Sequence, residues 1–285
     1  MAPGCKVACI QVNAQNGMAA NIAAVCVAAR SAAGEGAQLI TTPENATMMA
    51  AGGREIREFA MPENSHAGLA AFRELAAETG TWFLAGSLGI ALANGRVANR
   101  SYFIAPSGEI AARYDKIHMF DVELPGGESY RESANFEAGE EAVLAETPWG
   151  LAGLTICYDV RFPHLYRTLA HAGARLLMVP SAFTRTTGEA HWHVLLRARA
   201  IETGAFVIAP AQTGSHPRGR QTYGHSLIVS PWGEVLADGG EEPGVVIADL
   251  DLAAVDRARS AVPSLDHDRG YAAPPPARAD IKGAA

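Results

Sequence analysis

Cysteine is scarce in this chain, with four in 285 residues. Cys5, Cys9 and Cys26 fall near the N-terminus and Cys157 stands far away, which fits neither a disulfide framework nor the paired spacing of a zinc site. The four read as reduced thiols. Basic charge is also in deficit. A formal net charge of -7 and a pI near 5.7 argue against a face that follows phosphate backbones or anionic lipid. A small molecule is therefore the expected partner, with no nucleic acid and no membrane. No apolar run reaches the ~18 residues of a membrane span. The start, Met1-Ala2-Pro3-Gly4-Cys5-Lys6, lacks the charged beginning and long apolar centre of a secretory signal, so a soluble cytoplasmic protein is expected. There is no dividing linker and no periodic repeat. With 48% hydrophobic residues the chain can bury one large α/β core, expected over residues 1–270, ahead of an Ala-, Pro- and Arg-rich tail over 271–285 with little to bury.

What is present is alternation. Val7 to Val12 reads as a strand, Met18 to Ala33 as a helix stopping at Gly34, and Leu39 to Thr42 as a short buried strand. Ser65 to Thr79 carries Leu69, Phe72 and Leu75 at helical spacing before the strand Trp82 to Gly86. Ala105-Pro106-Ser107-Gly108-Glu109, Thr147-Pro148-Trp149-Gly150-Leu151 and Ser230-Pro231-Trp232-Gly233-Glu234 share one pattern. Proline presets the second turn position, and the glycine two residues on supplies a left-handed one, so each predicts an antiparallel hairpin. The second half resumes with helices over Pro163 to Ala172 and His191 to Thr203 and a short one near Leu252 to Ala258. Its strands are placed at Leu176 to Pro180, Phe206 to Ala209, Ser226 to Val229 and Val245 to Ala248.

Cys157 ends the apolar run Leu151 to Ile156 and is followed by the polar turn Tyr158 to Pro163, so a strand delivers a thiol to the mouth of a loop. An isolated cysteine is more often a small core hydrophobe than a nucleophile. Two other strand ends bear on that choice. Glu44 follows Leu39 to Thr42 through Pro43, and Lys116 follows Ile110 to Tyr114. A thiol, a carboxylate that moves protons and an ammonium that faces an oxyanion are a complete set for acyl transfer. Ile156-Cys157-Tyr158 lacks the glycines of an amidotransferase nucleophile elbow. His191 and His193, two apart on a helix, point to nearly opposite sides, so they read as cleft-wall or capping residues rather than a metal pair.

Thr42-Pro43-Glu44-Asn45, Tyr114 to Asp121 around Lys116, and Thr155 to Pro163 around Cys157 together resemble the nitrilase superfamily of carbon-nitrogen hydrolases. The likeness extends to Pro180-Ser181-Ala182-Phe183, Ala190-His191-Trp192, Arg197 to Ala200 and Tyr223 to Ser226, spanning roughly Lys6 to Arg269. It implies a four-layer α-β-β-α sandwich, which periodicity does not give, and maps the catalytic residues to Glu44, Lys116 and Cys157. Glu132 matches a second glutamate of the amidase branches, its structural alternative being a loop carboxylate paired with Arg131. Tyr158 and Phe183 lie inside these motifs, and Arg161 and Arg185 are the cations nearest them, so these four are the candidate substrate-binding residues.

The resemblance implies attack by Cys157, assisted either by Lys116 holding a thiolate or by Glu44 taking the proton. The oxyanion would meet Lys116 and the backbone N–H of Tyr158, and the thioester would be hydrolysed with Glu44 activating water. No cofactor and no metal enter the cycle. Tyr158-Asp159 after the nucleophile, in place of the Trp-Glu of true nitrilases, makes an amide the expected substrate. Arg197 to Thr203, Pro210 to His216 and Tyr223 to Ser226 look most like deaminated glutathione amidases. Their substrate carboxylates need cations, and Arg199, Arg218 and Arg220 are further arginines available for them. An ω-amidase for 2-oxoglutaramate or 2-oxosuccinamate, an N-carbamoyl amidohydrolase and an inactive scaffold subunit are the alternatives. A homodimer or larger homo-oligomer is implied by the family alone.

Overall fold

The computed structural model describes residues 4–50, 52–125 and 127–274, and in it two sheets stand face to face. The first half supplies strands β1 (Cys5–Gln11), β2 (Leu39–Thr41), β3 (Trp82–Ala91), β4 (Val97–Ile104), β5 (Ile110–Asp115), β6 (Asp121–Glu123), β7 (Ser129–Arg131) and β8 (Phe136–Glu137). Its helices are α1 (Met18–Gly34), α2 (Gly53–Phe59) and α3 (Ala67–Thr79). The second half supplies β9 (Val143–Thr147), β10 (Gly150–Leu154), β11 (Ala174–Met178), β12 (Phe206–Ala209), β13 (Thr213–Ser215), β14 (Gln221–Tyr223), β15 (Leu227–Val229), β16 (Val235–Asp238) and β17 (Gly244–Leu250). Helices α4 (Pro163–His171), α5 (Arg185–Thr203) and α6 (Ala253–Ala261) accompany them.

One sheet has the order β17-β1-β2-β3-β4-β5, with β8 beside β4; the other has the order β16-β15-β12-β11-β10-β9. Each has a parallel centre, β1-β2-β3 and β10-β11-β12, flanked by antiparallel neighbours. Side-chain alternation explains the layering. Val7, Cys9, Leu39, Leu84 and Phe103 pack between the sheets against Ala152, Leu154 and Met178. Their sequence neighbours Ala8, Ile10, Ile40, Phe83 and Tyr102 pack outward against Val25 and Ala29 of α1 and Leu69 and Phe72 of α3. Leu165 and Leu169 of α4 and Trp192 and Leu196 of α5 cover the second sheet. The result is an α-β-β-α sandwich in which central strands are apolar on both faces.

All three Pro-x-Gly segments are hairpin turns, joining β4 to β5, β9 to β10 and β15 to β16. Their glycines take φ of 80°, 107° and 85°. Three features depart from the sequence reading. α5 starts at Arg185 rather than His191, because its first turns, Arg-Thr-Thr-Gly-Glu, have no apolar stripe; they dock by laying Gly188 against the ring of Tyr223. β3 runs on to Ala91 through a register shift after Ala85. The short α2 and the hairpins β6–β7 and β13–β14 are too polar and brief to show a period. Of the expected tail, residues 271–274 are exposed and without regular structure, and 275–285 lie outside the described residues. No helix among the described residues is long and apolar enough to cross a membrane.

Candidate active site

Three strand ends converge. Glu44 lies just beyond β2, Lys116 directly after β5 and Cys157 just beyond β10. Lys116 Nζ donates to Glu44 Oε1 at 2.9 Å and to both oxygens of Glu132 at 2.9 and 2.8 Å. The ammonium is 2% exposed and Glu44 3% exposed. Charges so far from water persist only when paired and hydrogen-bonded, and here every carboxylate oxygen is engaged. Asn99 Nδ2 donates to Glu44 Oε1 and Glu132 Oε1, the Ala182 N–H to Glu44 Oε2, and the Phe120 N–H to Glu132 Oε2. Glu132 is therefore held by the lysine; Arg131 turns away and pairs with Glu123 at 2.8 Å.

The Cys157 turn is built around a second buried carboxylate. Asp159, fully buried, accepts from the Ile156 N–H at 2.8 Å, the Tyr114 hydroxyl at 2.7 Å and the His118 N–H at 3.1 Å, and its Oδ1 lies 2.7 Å from His118 Nδ1. It ties the Cys157 turn to the segment carrying Lys116. Cys157 itself sits at φ 49°, left-handed for a residue with a Cβ, and its N–H donates to Pro180 O. Such a conformation costs about 1–3 kcal/mol and persists only where its surroundings impose it. Beneath Glu44, β3 passes so closely that a Cβ on Gly86 would collide with the carbonyl oxygens of Thr42 and Pro43. A glycine is what lets the Glu44 turn descend onto the sheet.

These contacts set the charges. Burial pushes the Cys157 thiol well above the usual range and the Glu44 carboxylate adds to this, with Lys116 opposing them. Burial disfavours the Lys116 ammonium, but Glu132 and Glu44 outweigh it and raise its pKa. Burial likewise opposes the Glu44 anion, while Lys116 outweighs it and lowers the pKa. The resting state is thus a neutral thiol, a carboxylate hydrogen-bonded to it, and an ammonium.

Glu44, Lys116 and Cys157 open onto a cavity of about 540 Å³, also lined by Glu132, Tyr158 and Phe183. Arg161 and Arg185 do not line it. Arg161 packs from behind, its guanidinium 5.8 Å from the Tyr158 ring centroid and 5.1 Å from that of Phe183. Arg185 is on the surface, paired with Glu189 and Glu241 at 3.1 Å each. The cavity's arginines are instead Arg131, Arg218 and Arg220. Neither His191 nor His193 forms a cleft wall: His191 meets Arg161, and His193 joins His225 around Asp238 outside the cavity. Sequence reading missed Asn99 and Asp159. Asp159 stands inside the motif around Cys157, whereas Asn99 is followed by Arg100 and Ser101 in β4, a polar run in which nothing marks it out.

The family model for carbon-nitrogen hydrolases matches residues 6–260. A deaminated glutathione amidase from Synechocystis sp. (strain PCC 6803) is 51% identical over 175 residues, covering 61% of this chain and 64% of that protein, so the match spans less than two thirds of the relative. A deaminated glutathione amidase from Yersinia enterocolitica is 38% identical over 250 residues, covering 87% of each. The crystal structure of the Caenorhabditis elegans NitFhit protein superposes with a TM-score of 0.88 at 38% identity, over 94% of this chain and 66% of that one.

Proposed function

The chain belongs to the carbon-nitrogen hydrolase family, and from that premise we propose that it hydrolyses a linear amide through a thioester on Cys157, with deaminated glutathione as substrate. The observation that carries the reading is the buried Glu44 carboxylate set between the Lys116 ammonium and the Cys157 thiol. Because the resting thiol is neutral, Glu44 rather than Lys116 activates it. Glu44 takes the thiol proton as sulfur bonds to the carbonyl carbon, and the oxyanion faces the Lys116 ammonium and the Tyr158 N–H. Glu44 returns the proton to the amide nitrogen as the carbon-nitrogen bond breaks. Cysteinylglycine leaves with a free amine, and a 2-oxoglutaryl thioester stays on Cys157. Water then loses a proton to Glu44 as it attacks the thioester, and the departing sulfur takes that proton back. Three side chains and one water balance the cycle. Glu132 and Asn99 fix the lysine and the glutamate rather than move protons.

The choice of substrate is supported by the names of the two bacterial relatives and by a cavity roomier than a five-carbon keto-amide requires. Purified protein should release 2-oxoglutarate and cysteinylglycine from deaminated glutathione, and Cys157→Ala should release neither. A clear preference for 2-oxoglutaramate would make it an ω-amidase, carbon dioxide released with ammonia would make it a carbamoylase, and no turnover of any amide would leave a scaffold. A cytoplasmic homo-oligomer completes the proposal. All four cysteines are free, as in a reducing compartment, and Val194, Ile201, Trp232 and Val262 expose apolar surface that a second copy would cover. Light scattering of the purified protein tests the assembly.

A further inference from the structure

Of the three arginines that line the cavity, Arg131 is paired, whereas Arg218 and Arg220 have no carboxylate partner among the described residues; Arg218 is exposed to water, and Arg220 is half-buried. Arg220 is carried by the hairpin β13–β14, whose base is fixed by buried His216, with Nδ1 2.8 Å from Ala14 O and Nε2 2.7 Å from Thr222 Oγ1. The His216 N–H in turn donates to Arg220 O at 2.8 Å. The guanidinium enters the cavity beneath Tyr130, 5.4 Å from its ring centroid, and Nη2 donates to Ala182 O at 2.8 Å. The N–H of that same Ala182 holds Glu44, so Arg220 sits one residue's peptide groups away from the catalytic carboxylate, and its charge is felt there. Yet Arg220 Nε is buried with no hydrogen-bond acceptor, and no carboxylate lies within ion-pairing distance among the described residues. Arg131, by contrast, is already neutralised by Glu123, and Arg185, outside the cavity, by Glu189 and Glu241.

A buried N–H is ordinarily satisfied by protein or by ligand, and a fork of guanidinium donors matches the two oxygens of a planar carboxylate. Resting on the amidase reading above, we propose that Arg220 is the receptor for a substrate carboxylate, and so the residue that selects acid-bearing amides over neutral ones. The ring of Tyr130 and the Ala182 carbonyl fix the guanidinium plane before substrate arrives. Arg161 and Arg185 take no direct part.

The test compares N-methyl-2-oxoglutaramate with its methyl ester, which differ only in the carboxylate. Wild type should favour the acid, and Arg220→Gln should lower the ratio of the two kcat/KM values about 10²-fold, the scale of a pair of charge-assisted hydrogen bonds. The loss should fall on KM more than on kcat. Arg220→Lys, which keeps the charge without the fork, should recover part of the ratio, and it decides the matter if Arg220→Gln does not fold. An undiminished ratio in the variant that folds overturns the assignment while leaving the amidase reading in place. Wild type that hydrolyses both equally well would likewise overturn the assignment, whereas wild type that hydrolyses neither would overturn the amidase reading on which it rests.

Discussion

Replacing Lys116 by Met tests the charge arrangement directly. The ammonium lies 2.9 Å from Glu44 and 2.8 Å from Glu132, and all three groups are largely shielded from water. Removing one partner of a buried ion pair costs about 3–5 kcal/mol, because it strands the other charge. Two carboxylates joined through Asn99, with no cation between them, cannot both stay ionised, and one takes up a proton. In the variant that carboxylate's folded pKa rises above its unfolded value near ~4.3. The folded state then binds more protons than the unfolded one, so stability falls as pH rises, by about 1.4 kcal/mol per pH unit, until the folded pKa is passed. The penalty of Lys116→Met should therefore be small at pH 5 and approach its full value near pH 8. Urea unfolding of wild type and variant at pH 5, 6, 7 and 8 measures the difference. Amide turnover should drop at least about 10²-fold at every pH, because the oxyanion donor is gone and a protonated Glu44 cannot accept from the thiol. A stability penalty that does not change with pH would refute the reasoning, since it would mean that no proton replaces the ammonium.

Gly86→Ala forces a methyl group into the Thr42 and Pro43 carbonyls. Overpacking of this kind costs about 1–3 kcal/mol, and here the strain falls on the Glu44 turn, so kcat should decline more than the melting temperature suggests; full activity with a normal melt would contradict the close approach. His216 has its pKa pushed down to about 4 by burial, its contact with Ala14 O opposing the shift. The unfolded chain protonates this group near pH 6.5 and the folded one only near 4, so its contribution is present at neutral pH and is lost as pH falls through that window. Wild type should lose about 3 kcal/mol more than His216→Gln between pH 7 and pH 4, read by urea unfolding at both pH values; equal losses would show that His216 titrates normally.

The strand ends that deliver Glu44, Lys116 and Cys157 were legible because each is a local event: an apolar run, then a polar turn with its own motif. The three hairpins were legible for the same reason, a proline and a glycine two residues apart. Elements without a period, such as the first turns of α5 and the hairpin that carries Arg220, left no such mark.

What joins these pieces is invisible along the chain. Adjacent residues such as Val7 and Ala8 are equally apolar, so the sequence says that both faces are buried but not that one meets helices and the other a second sheet. Glu132 lies beside Arg131 in sequence and bonds to Lys116 in space, and Asp159 reaches back across more than forty residues to His118 and Tyr114. Arg161 and Arg185 are the arginines nearest the motifs, yet it is Arg220, sixty-three positions after Cys157, whose guanidinium enters the cavity. By itself the sequence determined which groups were available and at which strand ends they stand. The protonation of the thiol, the partner of each carboxylate and the arginine left free for a substrate were decided by tertiary structure, because burial and Coulomb interaction depend on distance in space and not on distance along the chain.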